Sequence, residues 1–179
     1  ADPLFRSQIL FELLERGPAK AAIKVSRQLG VSKVEQVISL DAGSSCIRVE
    51  NAVDWRSRRS MLKAEFSFVA AADGADYDLG LGVIHRGNNN EKLYEVPAQK
   101  WADLTGSDGD FGVSVFSDSK YGWDKPDDHT LRLTCLHTPA GAFIKEARQD
   151  LMDLGRNRFG FGIYSHKGGW QAGREMPEL

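Results

Sequence analysis

The feature that most constrains this chain is the return of apolar residues at every second position. Between Lys20 and Gly30, Ile23, Val25 and Leu29 alternate with Lys24, Ser26 and Gln28. A similar run covers Val34–Leu40 and stops at Asp41, Ala42 and Gly43. From Cys46 to Trp55, Ile47, Val49, Val53 and Trp55 oppose Arg48, Glu50 and Asp54. From Met61 to Val69, Leu62, Ala64, Phe66 and Phe68 oppose Lys63, Glu65 and Ser67. A strand turns successive side chains to opposite faces, so each run describes a half-buried strand. Further runs lie at 77–85, 92–101, 111–117, 131–138 and 159–166. The turn-rich segments AADGAD, RGNNNE, TGSDGD and DKPDDH separate several of them. About nine or ten strands with no long helices between them predict an all-β, antiparallel β-sandwich. At most one short helix is expected, over 142–155, where Phe143, Ala147 and Leu151 fall four apart. An ordered loop over the end of the sheets is the alternative there.

The chain of 179 residues fits one domain over 1–179, large enough to bury a core without metal or disulfide support. Its 23 basic and 25 acidic side chains nearly cancel, giving a net charge of -2. Without a basic stripe there is little counterion release to gain, so a nucleic-acid partner is not expected. No apolar run approaches bilayer-spanning length, so no membrane partner is expected either. ADPLFRSQ lacks the charged start and apolar stretch of a secretory leader. GGWQAGREMPEL directly follows a strand run with no further strand to pair, which predicts a boundary with more protein beyond it. Cys46 and Cys135 both sit in strand runs and read as buried free thiols, with an inter-strand disulfide as the alternative.

A self-sufficient catalytic constellation is hard to find. The four histidines, 85, 129, 137 and 166, are scattered without metal-site spacing, so no metal is expected in this chain. GLGVIHRG holds glycines, but within a strand run and with no helix after them, the wrong order for a phosphate loop. Asp124, Asp127 and Asp128 offer the carboxyl pairs that glycosidases use, one to donate a proton and one to attack or activate water. Aspartates around Pro126 are more simply a turn. SDSKYGWDKP places Tyr121 and Trp123 around a glycine, between Lys120 and Asp124. Aromatic rings beside charged hydrogen-bonding groups suit the apolar faces and hydroxyl rims of sugars. A loop whose aromatics pack back on the sandwich is the plainer reading.

Taken in order, these residues resemble the C-terminal β region of glycoside hydrolase family 38, the α-mannosidases. The resemblance is carried by Glu95, Val96, Trp101, Asp103, Leu104, Gly112, Asp118, Lys120, Tyr121, Gly122, Leu131, Arg132, Leu133 and Pro139. Upstream, Val53, Asp54 and Trp55, followed by Leu62 and Lys63, resemble the family's valine-aspartate-tryptophan and leucine-lysine strands. Downstream, Asp153, Gly155, His166 and Gly168 resemble its closing elements. The likeness runs from about Gly17 to Trp170. The chain departs from the pattern at His85, Arg86 and Gly87 with the short stretch RGNNNEKLY, at Ser117 and at Ser165.

The resemblance implies a two-sheet supersandwich like that of galactose mutarotases. It also implies that the aspartate nucleophile and a zinc ion belong to an N-terminal catalytic domain absent here. That domain would be this region's partner within the same polypeptide. On this reading the intact protein hydrolyses α-mannosides, and this region braces the catalytic domain and lends loops to the substrate cleft. Lys120, Tyr121, Trp123 and Asp124, with Arg86 behind them, are the expected substrate contacts, and the chain alone is expected to be inactive. A stand-alone carbohydrate-binding module is the alternative, and a purely structural domain packed on its neighbours is a third.

Overall fold

The computed structural model describes residues 9–139 and 146–172. Its strands in chain order are β1 (Ile9–Arg16), β2 (Lys20–Leu29), β3 (Ser32–Asp41), β4 (Cys46–Trp55), β5 (Ser60–Ser67), β6 (Gly74–Asp78) and β7 (Val83–Gly87). They continue with β8 (Val96–Pro97), β9 (Trp101–Thr105), β10 (Phe111–Ser117), β11 (Gly122–Asp127), β12 (Thr130–Thr138) and β13 (Gly155–Lys167). The described residues carry no α-helix, and the resolved strand pairings are antiparallel, as the alternation predicts. Two compact units emerge: Ala1–Leu62 with Leu136–Gly160, and Lys63–Cys135 with Phe161–Leu179.

In the first unit β1, β2, β3, β4 and the start of β13 lie side by side. β2 and β3 pair without a break from Lys20↔Asp41 to Leu29↔Ser32. That register puts Val25, Val34, Val49 and Val53 on one buried face, and Lys24, Glu35 and Arg48 on the other. The same face also carries polar side chains, linked in a chain of hydrogen bonds. Arg27 Nη2 donates to Gln36 Oε1 at 2.8 Å, Gln36 Nε2 to Asn51 Oδ1 at 2.9 Å, and Asn51 Nδ2 to the Phe159 carbonyl at 3.2 Å. Such a chain keeps buried amides from being left without partners, which would cost about 1–3 kcal/mol each.

Of the segment 142–155, read as a short helix or ordered loop, the structure describes residues 146 onward. Its described part is a 3₁₀ turn, Glu146–Leu151, interrupted at Arg148 (φ -106°, ψ 15°). Phe143 lies outside the described residues. Gln149 anchors the turn, donating from Nε2 to the Pro139 carbonyl (2.6 Å) and accepting the Arg59 N–H at Oε1 (3.3 Å).

The second unit has two layers. One runs β13-β10-β9-β6-β7 and the other β5-β12-β11-β8. Phe66 of β5 meets Phe161 of β13 edge-on, with ring centroids 5.3 Å apart. Tyr77, Leu104, Val115, Trp123, Leu131 and Leu133 are buried. Two expected strands prove to be broken. The run 77–85 folds back between β6 and β7, closed by the Leu79 N–H on the Gly82 carbonyl at 2.8 Å. The run 92–101 divides into β8 and β9. The expected turn at DKPDDH is largely strand instead, since β11 continues through Pro126 to Asp127. Proline has no N–H for a ladder, and it sits where the β11–β12 register slips between Asp124 and Asp127. The end of GGWQAGREMPEL, from residue 173 on, lies outside the described residues.

Candidate functional site

β11 and the residues just before it bring four of the five expected contact residues to one stretch of the second unit, and their surroundings differ sharply. Tyr121, just before the strand, is 54 % exposed. Trp123, two residues on, is 0 % exposed. In this structure the indole fills core, so it offers no open face for a sugar, and the aromatic surface here is Tyr121 with the exposed Tyr94. Lys120 is half-buried, with its N–H donated to Ser117 Oγ at 2.9 Å. Arg86 of β7 lies over the Tyr77 ring (5.2 Å to the centroid) and donates from Nη1 to the Pro97 carbonyl at 2.8 Å. Its guanidinium therefore fastens β7 to β8.

Asp124 is buried yet fully partnered. Lys63 Nζ of β5 donates to Oδ2, Asn89 Nδ2 donates to Oδ1 at 3.3 Å, and Arg132 Nη1 of β12 stands 3.7 Å from Oδ1. Lys63 also donates to Glu95 Oε2 at 3.1 Å, and Arg132 Nε to Glu65 Oε2 at 2.8 Å. The result is a ladder of alternating charge across β11, β12 and β5, joined by Glu95 just ahead of β8. Burial alone would pull the Lys63 pKa down, but the hydrogen bonds it donates to Asp124 and Glu95 outweigh it and hold the ammonium above its usual value. Gly122 is required beside this ladder, because a Cβ there would collide with the Glu95 carboxylate. A carboxylate held by three partners in this way is a poor nucleophile or proton donor. Asp124 acts as a node of structure.

Lys125 is the least expected neighbour. Its side chain is buried, and Nζ donates to three oxygens: the Ala72 carbonyl (2.6 Å), Asn88 Oδ1 (2.8 Å) and the Asp127 carbonyl (2.6 Å). Burial lowers its pKa. Asn88 and Asn89, which read from sequence as turn residues, thus clamp β11 from the side.

Sequence reasoning missed a second buried cluster. Asp103 of β9 and His166 of β13 pair at 2.7 Å (Oδ2 to Nε2), and Ser114 and Thr105 also donate to the carboxylate, at 2.5 and 2.6 Å. His166 Nδ1 stands 3.0 Å from the Gly168 carbonyl. Both ring nitrogens therefore face oxygens that accept protons, which calls for the imidazolium. The hydrogen bond to Asp103 accordingly raises the His166 pKa above its ordinary value. Gly112 leaves the room the ring needs. The two partners are 63 residues apart in sequence, and only strand pairing brings them together.

Among the described residues, no group of three or more His, Cys, Asp or Glu side chains is placed to hold a metal ion. The zinc that the resemblance implies was expected in the N-terminal catalytic domain, and the described residues offer no seat for it. Cys46 and Cys135 are buried free thiols, and burial pushes the Cys135 pKa up to about 11, which disfavours the reactive thiolate. A polar cleft of about 300 Å³ in the first unit is lined by Lys33, Glu35, Asp54, Arg156 and Arg158. Glu35 and Asp54 are already taken up there by Lys33 (2.9 Å) and Arg56 (2.7 Å).

Fold and clusters together define an antiparallel β domain whose buried carboxylates are committed to structure. A family model for the glycosyl hydrolases family 38 C-terminal domain matches residues 1–141, and the chain belongs to that family. It is 28 % identical over 177 residues to alpha-mannosidase G of Dictyostelium discoideum, covering 93 % of this chain and 16 % of that protein. It is 30 % identical over 161 residues to mouse alpha-mannosidase 2C1, covering 87 % of this chain and 14 % of that protein. The chain thus spans about one-sixth or less of these relatives. In fold it is similar to an alpha-mannosidase from Enterococcus faecalis V583, with a TM-score of 0.75 at 12 % identity, covering 92 % of this chain and 23 % of that one.

Proposed function

We propose that this chain is the C-terminal β domain of a longer α-mannosidase-like glycosidase. It braces the catalytic part of the polypeptide and lends surface residues to the sugar-binding cleft. The observation that carries this reading is the family match, joined to relatives that are alpha-mannosidases and extend far beyond the matched region. The geometry supports the division of labour, because hydrolysis needs two carboxyl groups free to reach the glycosidic bond. Asp103 and Asp124 are buried and saturated with donors. Chemistry at the bond would come from the rest of the protein, including any metal there, while this domain would contribute binding.

Of the expected contacts, Tyr121 is the one free to stack on a sugar, with Lys120 beside it. The longer protein is expected to hydrolyse an aryl α-mannoside in preference to the matching α-glucoside. Tyr121→Ala in that protein should raise KM about three- to tenfold with kcat little changed, the signature of lost uniform binding by one aromatic face. Equal hydrolysis of the two glycosides would overturn the substrate class.

The exposure of Tyr94 and Tyr121 also favours a second reading, a carbohydrate-binding module. Titrating mannose oligosaccharides against this chain separates the two. Saturable binding that disappears in Tyr121→Ala would support the module. Tyr121, not Trp123, is the right control, because removing a core indole would damage the fold itself.

A further inference from the structure

We propose that β1 is an interior strand of a larger sheet, and that an extended apolar segment of the same polypeptide, from outside these residues, pairs with its open edge. The proposal rests on reading the chain as one domain of a longer protein. β1 reads ILFELLER, and all eight of its residues are exposed, Phe11 by 72 %. Among the described residues it stands at the end of its strand order and pairs with β2 alone. Its register with β2 sets Ile9, Phe11 and Leu13 on one face and Leu10 on the other, with Leu14 at a bulge. Apolar side chains on both faces are the pattern of a strand covered on both sides. Edge strands usually carry charges or proline instead, so that they do not recruit other strands. Here the charges are Glu12, Glu15 and Arg16, two of them at the very end.

The neighbouring sheet face agrees. Leu13, Ala21, Ile23, Ile38, Leu40 and Ile47 line a shallow groove of about 210 Å³. They continue the same stripe that, further along β2, β3 and β4, is buried at Val25, Val34 and Val49. A core layer thus runs into the open without changing its chemistry. Patches of this kind mark surfaces that something covers. A groove lined by apolar residues selects an apolar occupant. In the relatives this region makes up 16 % or less of the protein, which leaves ample chain to supply one in cis. A tethered segment also competes at high effective concentration against a second copy.

Hydrogen exchange on the longer protein tests this directly. In an open edge strand the amides bonded to β2 exchange slowly and those facing outward exchange fast. With the edge covered, outward amides of β1 should be slowed at least about 100-fold relative to free peptide. Outward amides exchanging at the free-peptide rate would overturn the proposal. So would protection that appears only as concentration rises together with a dimer, since the occupant would then be a second copy. Phe11→Lys, at an exposed side chain, should restore fast exchange to β1 while leaving β10 and β13 protected. Unchanged protection of β1 in that variant would count against the proposal. Hydrolysis of the aryl α-mannoside is measured on the same samples. Turnover with an open β1 edge sinks only the docking, and a protected edge without turnover sinks only the mannosidase reading.

Discussion

Trp123→Ala is expected to cost about 3–5 kcal/mol, the usual range for emptying a buried aromatic site. That is a third or more of the stability of many domains, and for a chain of this size it should lower the melting temperature by roughly 6–20 °C. The reason is position. Trp123 lies mid-layer in β11, opposite Leu133 of β12 on one side and Val96 of β8 on the other, with no exposed surface. Its Nε1 finds no acceptor among the described residues. Trp123→Phe should therefore be much milder, within about 1.5 kcal/mol, because it keeps most of the ring volume and removes an N–H that is buried without a partner. Thermal unfolding followed by near-ultraviolet circular dichroism checks both variants. A near-normal melting temperature for Trp123→Ala would mean that the ring is not part of the core.

The second large effect concerns the Asp103–His166 pair. His166→Ala leaves a carboxylate buried without its cation, and breaking such a pair typically costs about 3–5 kcal/mol. The pair should also give stability a direction in pH. The folded His166 pKa is raised above its ordinary 6.5 by the hydrogen bond it donates to Asp103. Its contribution is therefore fully present below that ordinary value and is lost as pH rises through the higher folded one. Denaturant unfolding at a series of pH values should show stability falling across that window in the wild type. The corresponding fall should be absent in His166→Ala. Wild-type stability that stayed level or rose there would contradict a buried imidazolium.

Much of the architecture was legible because alternation is a direct consequence of pleating. Lys24 against Val25, and Arg48 against Val49, announce their faces without any tertiary information. β1 was illegible for the opposite reason: Ile9, Leu10, Phe11, Leu13 and Leu14 are apolar at neighbouring positions, so no period of two survives. β11 was hidden by Asp124, Pro126, Asp127 and Asp128, which signal a turn when solvent surrounds them. Here Lys63, Asn89 and Arg132 arrive from other strands to satisfy Asp124, and Lys125 finds its oxygens on Ala72 and Asn88. Long-range partners of this kind leave no local trace. The same holds for Asp103 and His166, although Asp103 and Ser114 stand out as polar residues within otherwise apolar runs. The family resemblance placed the region correctly, and the outward-facing Tyr121 was among its implied contacts. Which of the paired aromatics is buried depends on how a single strand turns, and the sequence does not specify that.

The most direct test of the account is to incubate the isolated chain with an aryl α-mannoside and zinc, alongside the longer protein. Release of the aryl group is expected from the longer protein and none above buffer from the chain. Sustained release by the chain alone, lost on mutation of Asp124 or Asp103 without loss of fold, would contradict it. Those carboxylates would then be reagents, not struts.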